Sequence, residues 1–437
     1  MTKIAILPWS HEIEDFLDSV GLSFEQLCDG ADYGGRLFGY IESLKRVGIE
    51  SILVCVSRGQ VMRSGVHKGT GAKIIFLPSS RFYRAVRRPM TNPYAWSSQA
   101  AYGDWSDRSF VRKFVRDRRF DTVPYLATPA WQVAKVLRAQ DCQAILCQEY
   151  EYPRFDICVG LGWRMRIPVF ATFQGGDFQT SGWEKWSRPI AMRRANGFIV
   201  GTASERERLR RTYGVPASKI AAIPNPLDTS AWTGLSRHDA RTRIGFPATS
   251  QVVVWHGRVD IRRKGLDVLL QAWRSVTHAR PACDLKLLLV GSGNDNEKLS
   301  EMIAGLNLTS VVWVKEYVRD QTRLREYLSC ADMYAFPSRH EGFPVAPLEA
   351  MACGLPLVAA DAQGITDILR GGEQAGGLVV PREDPDSMAS ALGRLLDDSA
   401  LRINLGRCAR ERVRMEFSLN AVGSGLKEFL CAHGLTA

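Results

Sequence analysis

Short runs of apolar and β-branched residues, each followed by a stretch with helical spacing, recur along this 437-residue chain in two separate series. Alternation of this kind is typical of parallel sheets that carry helices on both faces. The first series predicts strands at residues 3–7, 51–56, 73–77, 144–147, 168–172 and 197–201, and the second at residues 251–255, 285–290, 311–314, 333–335 and 355–359. The sequence therefore predicts an α/β fold with two doubly wound parallel sheets.

A proline-punctuated connection lies between the two series. Pro224 and Pro226 stand close together within residues 223–228, which favours a linker. A prior of roughly 150 residues per domain also allows two or three domains. We therefore expect a first domain at residues 1–235, a second at 236–417, and a C-terminal helix at 418–437 that can cross back to the first domain.

Composition excludes several classes of protein. Hydrophobic residues make up 45% of the chain and charged residues 24%, which is ordinary for a globular protein and unlike a disordered or coiled-coil chain. No apolar run approaches the roughly 18 residues that a membrane-spanning helix needs, and the N-terminal run lacks a small-residue cleavage site. The ten cysteines are scattered without zinc-finger spacing. We therefore expect a cytoplasmic protein with reduced cysteines.

Positive charge is concentrated in one part of the first domain. The net charge of the chain is +11, and residues 51–120 alone carry 14 basic against 3 acidic side chains. Residues 108–120 predict a basic amphipathic helix, in which Phe110, Val111, Phe114 and Val115 alternate with Arg112, Lys113, Arg116, Arg118 and Arg119. We expect residues 81–120 to meet an anionic membrane surface; a solvated helix with a core face is the alternative.

Two glutamates in the second domain, Glu341 and Glu349, stand eight positions apart before a predicted strand. Pro347 fits the first turn of a helix, which would place Glu349 in that turn and Glu341 in the loop before it. Free backbone N–H groups at the positive end of such a helix suit a phosphate, and carboxylates beside them suit sugar hydroxyls. The N–H groups belong to Phe343, Val345 and Ala346. Alternatively, Glu349 only complements the helix dipole and Glu341 is solvated.

A cluster of cations follows the predicted strand at residues 251–255. Its members are Arg258, Arg262, Arg263 and Lys264. Cations at a helix N-terminus have the wrong sign for the helix dipole unless a bound anion reverses the local field, as a diphosphate would. Far earlier in the chain, Gly34 and Gly35 open a helical pattern and would let the backbone approach a ligand. A solvated loop and a simple turn are the respective alternatives.

In this order, these motifs resemble those of the retaining glycosyltransferases of family 4, which have the GT-B architecture of two facing Rossmann-like domains with a cleft between them. The resemblance implies that Arg258 and Lys264 hold the diphosphate of the donor. It also implies that Glu341 lies at the transferred sugar and Glu349 at the nucleotide ribose. The remaining donor-binding positions that it implies are Gly34, Gly35, Gly291, Tyr317, Val318, Phe343 and Val345.

The sequence departs from the family pattern in one loop of the first domain. Many members carry a histidine there, whereas this chain has Gln174 and Asp177, and no histidine occurs between His67 and His238. If a side chain of this loop contacts the transferred sugar, Gln174 or Asp177 must supply it. We therefore take Asp177, with Glu341, as a candidate catalytic residue; a structural turn is the alternative for Asp177.

The predicted activity is metal-independent transfer of a hexose, with retention, from a nucleotide-diphosphate sugar to a glycan or lipid-linked acceptor, with no cofactor. Asp384 and Asp386 form the only Asp-x-Asp sequence, and they stand where a helix begins, so that capping explains them better than metal ligation. Three alternatives are open: a relative that binds the nucleotide sugar without transfer, a sugar-nucleotide epimerase, and a basic nucleic-acid-binding protein. The last lacks a recognised nucleic-acid module, and we expect no nucleic-acid partner.

Overall fold

The computed structural model of the chain describes residues 2–9, 11–19, 21–30, 36–88, 90, 101, 103, 109–173 and 183–436. It divides into two compact units, of which the first comprises Met1–Pro224 with Val422–Ala437 and the second comprises Asn225–Ala421. Each unit is an α/β structure built on one largely parallel sheet, as the alternating pattern of the sequence predicts.

The first unit contains an eight-stranded sheet in the order β3-β4-β2-β1-β5-β6-β7-β8. All of its neighbouring strands are parallel except β3 and β4. Ile4 and Ile6 of β1 enter one hydrophobic cluster, whereas Ala5 and Leu7 enter another, so the sheet is buried on both faces. The strands are β1 (Thr2–Leu7), β2 (Ile49–Ser57), β3 (Arg63–Val66), β4 (Lys73–Pro78), β5 (Ala144–Gln148), β6 (Val169–Phe173), β7 (Gly197–Val200) and β8 (Ile220–Ala222).

The second unit contains a six-stranded parallel sheet in the order β11-β10-β9-β12-β13-β14. Val252 and Val254 of β9 pack on one side of this sheet, and Val253 and Trp255 pack on the other. The strands are β9 (Gln251–His256), β10 (Leu285–Val290), β11 (Val311–Val314), β12 (Met333–Phe336), β13 (Leu357–Ala360) and β14 (Gly377–Val380).

Helices cover both faces of each sheet. Within the described ranges, every helix is too short or too polar to cross a lipid bilayer. The helices of the first unit are Ile13–Ser19, Phe24–Cys28, Arg36–Arg46, Arg81–Arg87, Phe110–Ala127, Ala130–Ala139, Pro153–Met165, Glu184–Arg194 and Ala203–Tyr213. The helices that follow later in the chain are Arg237–Ile244, Ile261–Lys264, Leu266–Ala279, Asn296–Gly305, Gln321–Ser329, Ala346–Ala352, Ile365–Ile368, Pro385–Asp397, Ser399–Arg412 and Leu419–Ala432.

The change from the first unit to the second comes earlier than residue 235. The backbone N–H of Leu227 donates to the carbonyl of Phe417 at 2.7 Å, and Trp232 is buried in the core of the second unit. The segment after Pro224 therefore already belongs to the second unit. At the other end of the chain, Val422, Leu426 and Leu430 of the last helix pack into the core of the first unit.

The strand order places a topological switch point in the second sheet. β9 is followed in the chain by β10 on one side, whereas its other neighbour is β12. The helices that follow β9 and β12 pack on opposite faces of the sheet, and in open α/β sheets such a point opens a crevice at the carboxyl ends of the strands. The first sheet has the same arrangement, because β1 lies between β2 and β5.

Candidate active site

The switch point of the second sheet brings a histidine and a glutamate together. His256 is the last residue of β9, and Glu349 lies in the first turn of helix Ala346–Ala352. The Nε2 atom of His256 is 2.8 Å from Oε2 of Glu349. Because an ionised carboxylate only accepts hydrogen bonds, the imidazole donates through Nε2. The other carboxylate oxygen, Oε1, has no hydrogen bond among the described residues.

Tyr334 of the neighbouring strand β12 packs against the imidazole of His256. His256 is 7% exposed, and its ring packs edge-on against Tyr334 of β12 at 5.4 Å. The Tyr334 hydroxyl donates to the backbone carbonyl of His256 at 3.3 Å. Burial raises the pKa of this hydroxyl well above its ordinary value, so that it stays a neutral donor. The Nδ1 atom of His256 is buried and finds no hydrogen-bond partner in the described part of the chain.

A second acid of the same loop region forms an ion pair with a lysine. The Nζ atom of Lys264 is 2.5 Å from Oε1 of Glu341. The side chain of Glu341 is only 7% exposed and that of Lys264 is 21% exposed. Lys264 ends the short helix Ile261–Lys264, in which Asp260 caps the first turn by accepting from the backbone N–H of Arg263 at 2.9 Å. The pair therefore joins the loop after β9 to the loop after β12.

An arginine of the loop after β12 strengthens this connection. Arg339 donates to both carboxylate oxygens of Asp267 at 2.8 and 2.7 Å, and its backbone N–H donates to the carbonyl of Arg263 at 2.9 Å. Partial burial opposes ionisation of Asp267, but the Arg339 guanidinium outweighs it and lowers the pKa of that carboxyl below its ordinary value. The loop carrying Glu341 is thus anchored to helix Leu266–Ala279.

Two glycines allow the loops to approach each other. Gly265 has φ +65°, and a Cβ atom there would lie 2.0 Å from the carbonyl oxygen of Pro337. A Cβ atom on Gly291 would lie 1.9 Å from the carbonyl oxygen of Gly257. No side chain fits at either position, so the backbones of the loops after β9, β10 and β12 pack directly on one another.

Three cations of the cluster, Arg258, Arg262 and Arg263, are exposed. None of them forms an ion pair with a carboxylate in the described ranges, unlike Lys264. Because no described carboxylate pairs with these three guanidinium groups, they supply positive charge to the loop after β9. This is the electrostatic setting that an anion such as a diphosphate requires.

The remaining predicted positions of the second unit differ in their surroundings. The ring of Phe343 is 3% exposed and lies 6.0 Å from that of Phe417 in the core, so only the backbone of Phe343 can serve a ligand. Val345 precedes helix Ala346–Ala352 as its N-cap residue. Tyr317 is 64% exposed after β11, and Val318 packs against the core.

The predicted residues of the first unit cannot be placed, since Gly34, Gly35, Gln174 and Asp177 lie outside the described residues. The predicted capping role of Asp384 is confirmed, because its side chain accepts from the backbone N–H of Ser387 at 2.9 Å at the start of helix Pro385–Asp397. Where the structure describes the chain, no three histidine, cysteine or acidic side chains converge as metal ligands would.

Sequence reasoning assigned no role to His256 or Tyr334. One signal was available for His256, because a histidine closes an otherwise apolar strand directly before Gly257 and Arg258. A polar residue at the carboxyl end of a buried parallel strand faces the crevice where ligands bind. Tyr334 gave no such signal, since an aromatic residue inside an apolar strand is ordinary core.

Two family models match this chain. A model described as Glycosyltransferase Family 4 matches residues 38–231, and one described as Glycosyl transferases group 1 matches residues 250–398. Among curated proteins, the D-inositol 3-phosphate glycosyltransferase of Kineococcus radiotolerans is 32% identical over 234 residues, which are 50% of this chain and 53% of that protein. The chain thus spans about half the length of the curated relatives it matches.

Solved structures resemble the chain over almost its whole length. Sucrose-phosphate synthase from Thermosynechococcus elongatus has a TM-score of 0.64 at 19% identity, with 99% of each chain covered. HepE from Anabaena, solved in complex with UDP, has a TM-score of 0.66 at 14% identity, with 99% of this chain and 100% of that chain covered. At such low identity the likeness shows the fold alone, which is the GT-B fold of two parallel-sheet α/β domains.

Proposed function

The chain belongs to glycosyltransferase family 4, and from this premise we propose that it transfers a hexose from a nucleotide-diphosphate sugar to a glycan or lipid-linked acceptor with retention. The observation that carries the proposal is the pairing of two carboxylates with two basic side chains at one switch point. Glu341 pairs with Lys264, and Glu349 pairs with His256. Acids and bases placed in this way offer acceptors for sugar hydroxyls and donors for a diphosphate.

We assign the transferred sugar to Glu341 and the nucleotide ribose to Glu349. His256 fixes one oxygen of Glu349, which leaves the second oxygen to accept from a ribose hydroxyl. Lys264 stands beside Glu341, so a diphosphate attached to the anomeric carbon would meet the ammonium while the sugar meets the carboxylate. We propose that Gly291, Tyr317 and Val318 contact the nucleotide. We also propose the predicted roles of Gly34 and Gly35 in binding the donor and of Asp177 as a catalytic residue.

Cleavage of the donor sends an electron pair to the departing diphosphate and leaves an oxocarbenium-like sugar. Positive groups that are already in place stabilise the charge that develops on the leaving group. We propose that Lys264, the unpaired guanidinium of Arg258 and the backbone N–H groups of Phe343 and Val345 supply this stabilisation. With these groups the reaction would not need a metal ion.

The choice of donor and acceptor classes is supported by the comparisons. HepE was solved in complex with UDP and, separately, with UDP-glucose, which supports a nucleoside-diphosphate sugar as donor. The curated relatives are named D-inositol 3-phosphate glycosyltransferases, which supports a hydroxyl-bearing acceptor.

We further propose that the protein binds peripherally to the inner face of an anionic membrane. Helix Phe110–Ala127 leaves Phe110, Val111 and Phe114 exposed to 82%, 67% and 49%, although these residues share an apolar face. Arg112 and Arg119 are exposed on the same helix. Apolar side chains that stay exposed among cations in the described part of the chain suit the interface of an anionic leaflet.

The function can be tested in two stages. Nucleoside diphosphates and their sugars should raise the thermal midpoint of the full chain, because a ligand that binds only the folded state stabilises it. The stabilising sugar nucleotide would then be incubated with candidate acceptors, with and without EDTA, and the rate of product formation would be compared. NMR of the product would report its anomeric configuration. An inverted product, or activity that EDTA abolishes, contradicts the corresponding part of the proposal. Failure of every nucleotide to stabilise the protein contradicts the whole.

A further inference from the structure

A separate cavity of about 510 Å³ lies in the first unit. It opens beyond the carboxyl ends of β2 and β4, where Ser79 and Ser80 follow β4. Its walls come from the first turn of helix Arg81–Arg87 and from Thr128 and the start of helix Ala130–Ala139. None of the described residues in its lining is acidic.

The polar groups at the base of the cavity are fully engaged with the protein. The Ser79 hydroxyl donates to Glu12 at 2.7 Å, and the Ser80 hydroxyl donates to the carbonyl of Leu126 at 2.7 Å. The buried guanidinium of Arg154 donates to Thr128 Oγ1 at 3.1 Å. These bonds tie four segments of chain together, so the base of the cavity is rigid and its shape is set before any ligand arrives.

The rim of the cavity has the opposite character. Phe82 and Trp131 are exposed to 75% and 78%. Gln60, Arg81 and Gln132 are exposed too, and in the described ranges their side chains make no hydrogen bond or ion pair. Two uncovered aromatic rings therefore flank planar amide and guanidinium groups whose hydrogen-bonding capacity is unused.

This combination fits a saccharide that carries negative charge. A pyranose ring has an apolar C–H face, which packs on an aromatic ring. It also has a rim of hydroxyls, and one side-chain amide can hydrogen-bond to two neighbouring hydroxyls through its oxygen and its NH2 group. Arg81 presents a fork of donors that matches a carboxylate or phosphate. Since none of the described lining residues is acidic, nothing at the rim opposes an anion.

We propose that this cavity binds an anionic saccharide segment of the acceptor through Trp131 and Arg81. The inference rests on the proposed transferase function, because the ligand is taken to be part of the acceptor. The cavity belongs to the first unit, and the proposed ligand is a part of the acceptor other than the hydroxyl that receives the sugar.

The test uses the full chain and two tetrasaccharides with the same sugar backbone, the anionic tetragalacturonic acid and its uncharged methyl ester, titrated by calorimetry. The native protein should bind the acid at least about tenfold more tightly than the ester. Trp131→Ala and Arg81→Gln should each weaken binding of the acid at least about fivefold. Trp163→Ala removes a tryptophan exposed to 70% elsewhere in the same unit, and Arg138→Gln removes an exposed cation of the helix that carries Trp131; both should bind like the native protein.

Two results would overturn the inference: site variants that bind the acid like the native protein, or control variants that lose binding equally, which would indicate nonspecific charge attraction. Co-sedimentation with vesicles containing phosphatidylglycerol provides a further arm. Loss of vesicle binding by Trp131→Ala without loss of tetragalacturonate binding would make this face a membrane contact instead. Thermal shifts caused by nucleotide sugars, measured on the same variants, distinguish failure of this inference from failure of the proposed transferase function. If these shifts are unchanged, the proposed transferase function is retained even when the tetragalacturonate results contradict the saccharide site.

Discussion

The imidazole of His256 and the carboxylate of Glu349 lie 2.8 Å apart although the two residues are 93 positions apart in the chain. His256 ends β9, and Glu349 lies in the first turn of the helix that follows β12, the strand next to β9 in the sheet. Because Nε2 of His256 is the donor, loss of the imidazole would free Glu349 to rotate without removing its charge.

We expect His256→Phe to weaken donor binding about tenfold, the equivalent of ~1.4 kcal/mol for a hydrogen bond to a charged group. Calorimetric titration with the nucleoside diphosphate that stabilises the protein measures this. If His256 acts through the ribose contact of Glu349, the variant should lose less affinity for the corresponding 2′,3′-dideoxynucleotide. His278→Phe changes an exposed histidine of the same unit and should bind both nucleotides normally. Equal losses for both nucleotides would place the effect elsewhere.

Replacement of Lys264 by methionine tests the diphosphate assignment. Lys264→Met keeps an unbranched apolar stem and removes the charged ammonium group, so donor affinity should fall about 10- to 100-fold. The variant should also be less stable, because it leaves the carboxylate of Glu341, 7% exposed, without its cation.

The stability effect and the binding effect can be separated with a double variant. Lys264→Met with Glu341→Gln removes both charges, so its thermal midpoint should recover towards the native value while donor affinity stays low. Lys286→Met serves as the control, since Lys286 forms a partly exposed pair with Asp284 at 2.9 Å in the same unit. Normal donor affinity in the Lys264→Met variant would refute the assignment.

Much of the fold could be predicted from the sequence. Parallel strands that are buried on both faces are continuous apolar runs, so all eleven predicted strands are present. The strands that were missed lack such runs: β3 is an exposed antiparallel edge strand, β8 has only three residues, and β14 begins at a glycine. Hydrophobic periodicity carries no signal for short or exposed edge strands.

The candidate site could be predicted only in part. Motif order placed Lys264 and Glu341 in one site, but their ion pair depends on where two loops meet, which no local pattern encodes. The pairing of His256 with Glu349 depends in the same way on the neighbouring positions of β9 and β12. Helical spacing likewise predicted an apolar face at residues 108–120, yet only the structure shows that Phe110 and Val111 stay exposed.

The contact at Gly265 predicts a specific loss of stability. Gly265 and Gly245 both end helices with positive φ, at +65° and +82°. A Cβ atom on Gly245 would meet nothing within 4 Å, whereas one on Gly265 would lie 2.0 Å from a carbonyl oxygen. Gly245→Ala should therefore cost only backbone strain, about 1 kcal/mol, and Gly265→Ala should cost more than about 3 kcal/mol.

Differential scanning calorimetry distinguishes these two glycine variants. For a unit of this size, about 1 kcal/mol corresponds to a shift of roughly 2–4 °C in the thermal midpoint. Similar shifts for both variants would mean that the loops after β9 and β12 separate easily, which contradicts a rigid site.

His11 of the first unit predicts a dependence of stability on acid. Burial, with the nearby charge of Arg154, lowers the pKa of His11 from 6.5 to about 4, although Asp15 opposes the shift. The Nε2 atom of His11 is buried without a hydrogen-bond partner among the described residues. Between pH 6.5 and about 4 the unfolded chain therefore binds a proton that the folded protein does not.

Stability must consequently fall as the pH falls through this window, by up to ~1.4 kcal/mol per pH unit. Above pH 6.5 the residue is neutral in both states and contributes no pH dependence. His11→Gln cannot take up the proton, so urea unfolding at pH 7 and pH 4.5 should show a smaller loss of free energy of unfolding for this variant than for the native protein. The difference should reach about 2 kcal/mol. His238→Gln removes an exposed histidine and should lose as much stability in acid as the native protein; equal losses for all three proteins would show that His11 is not the group that titrates.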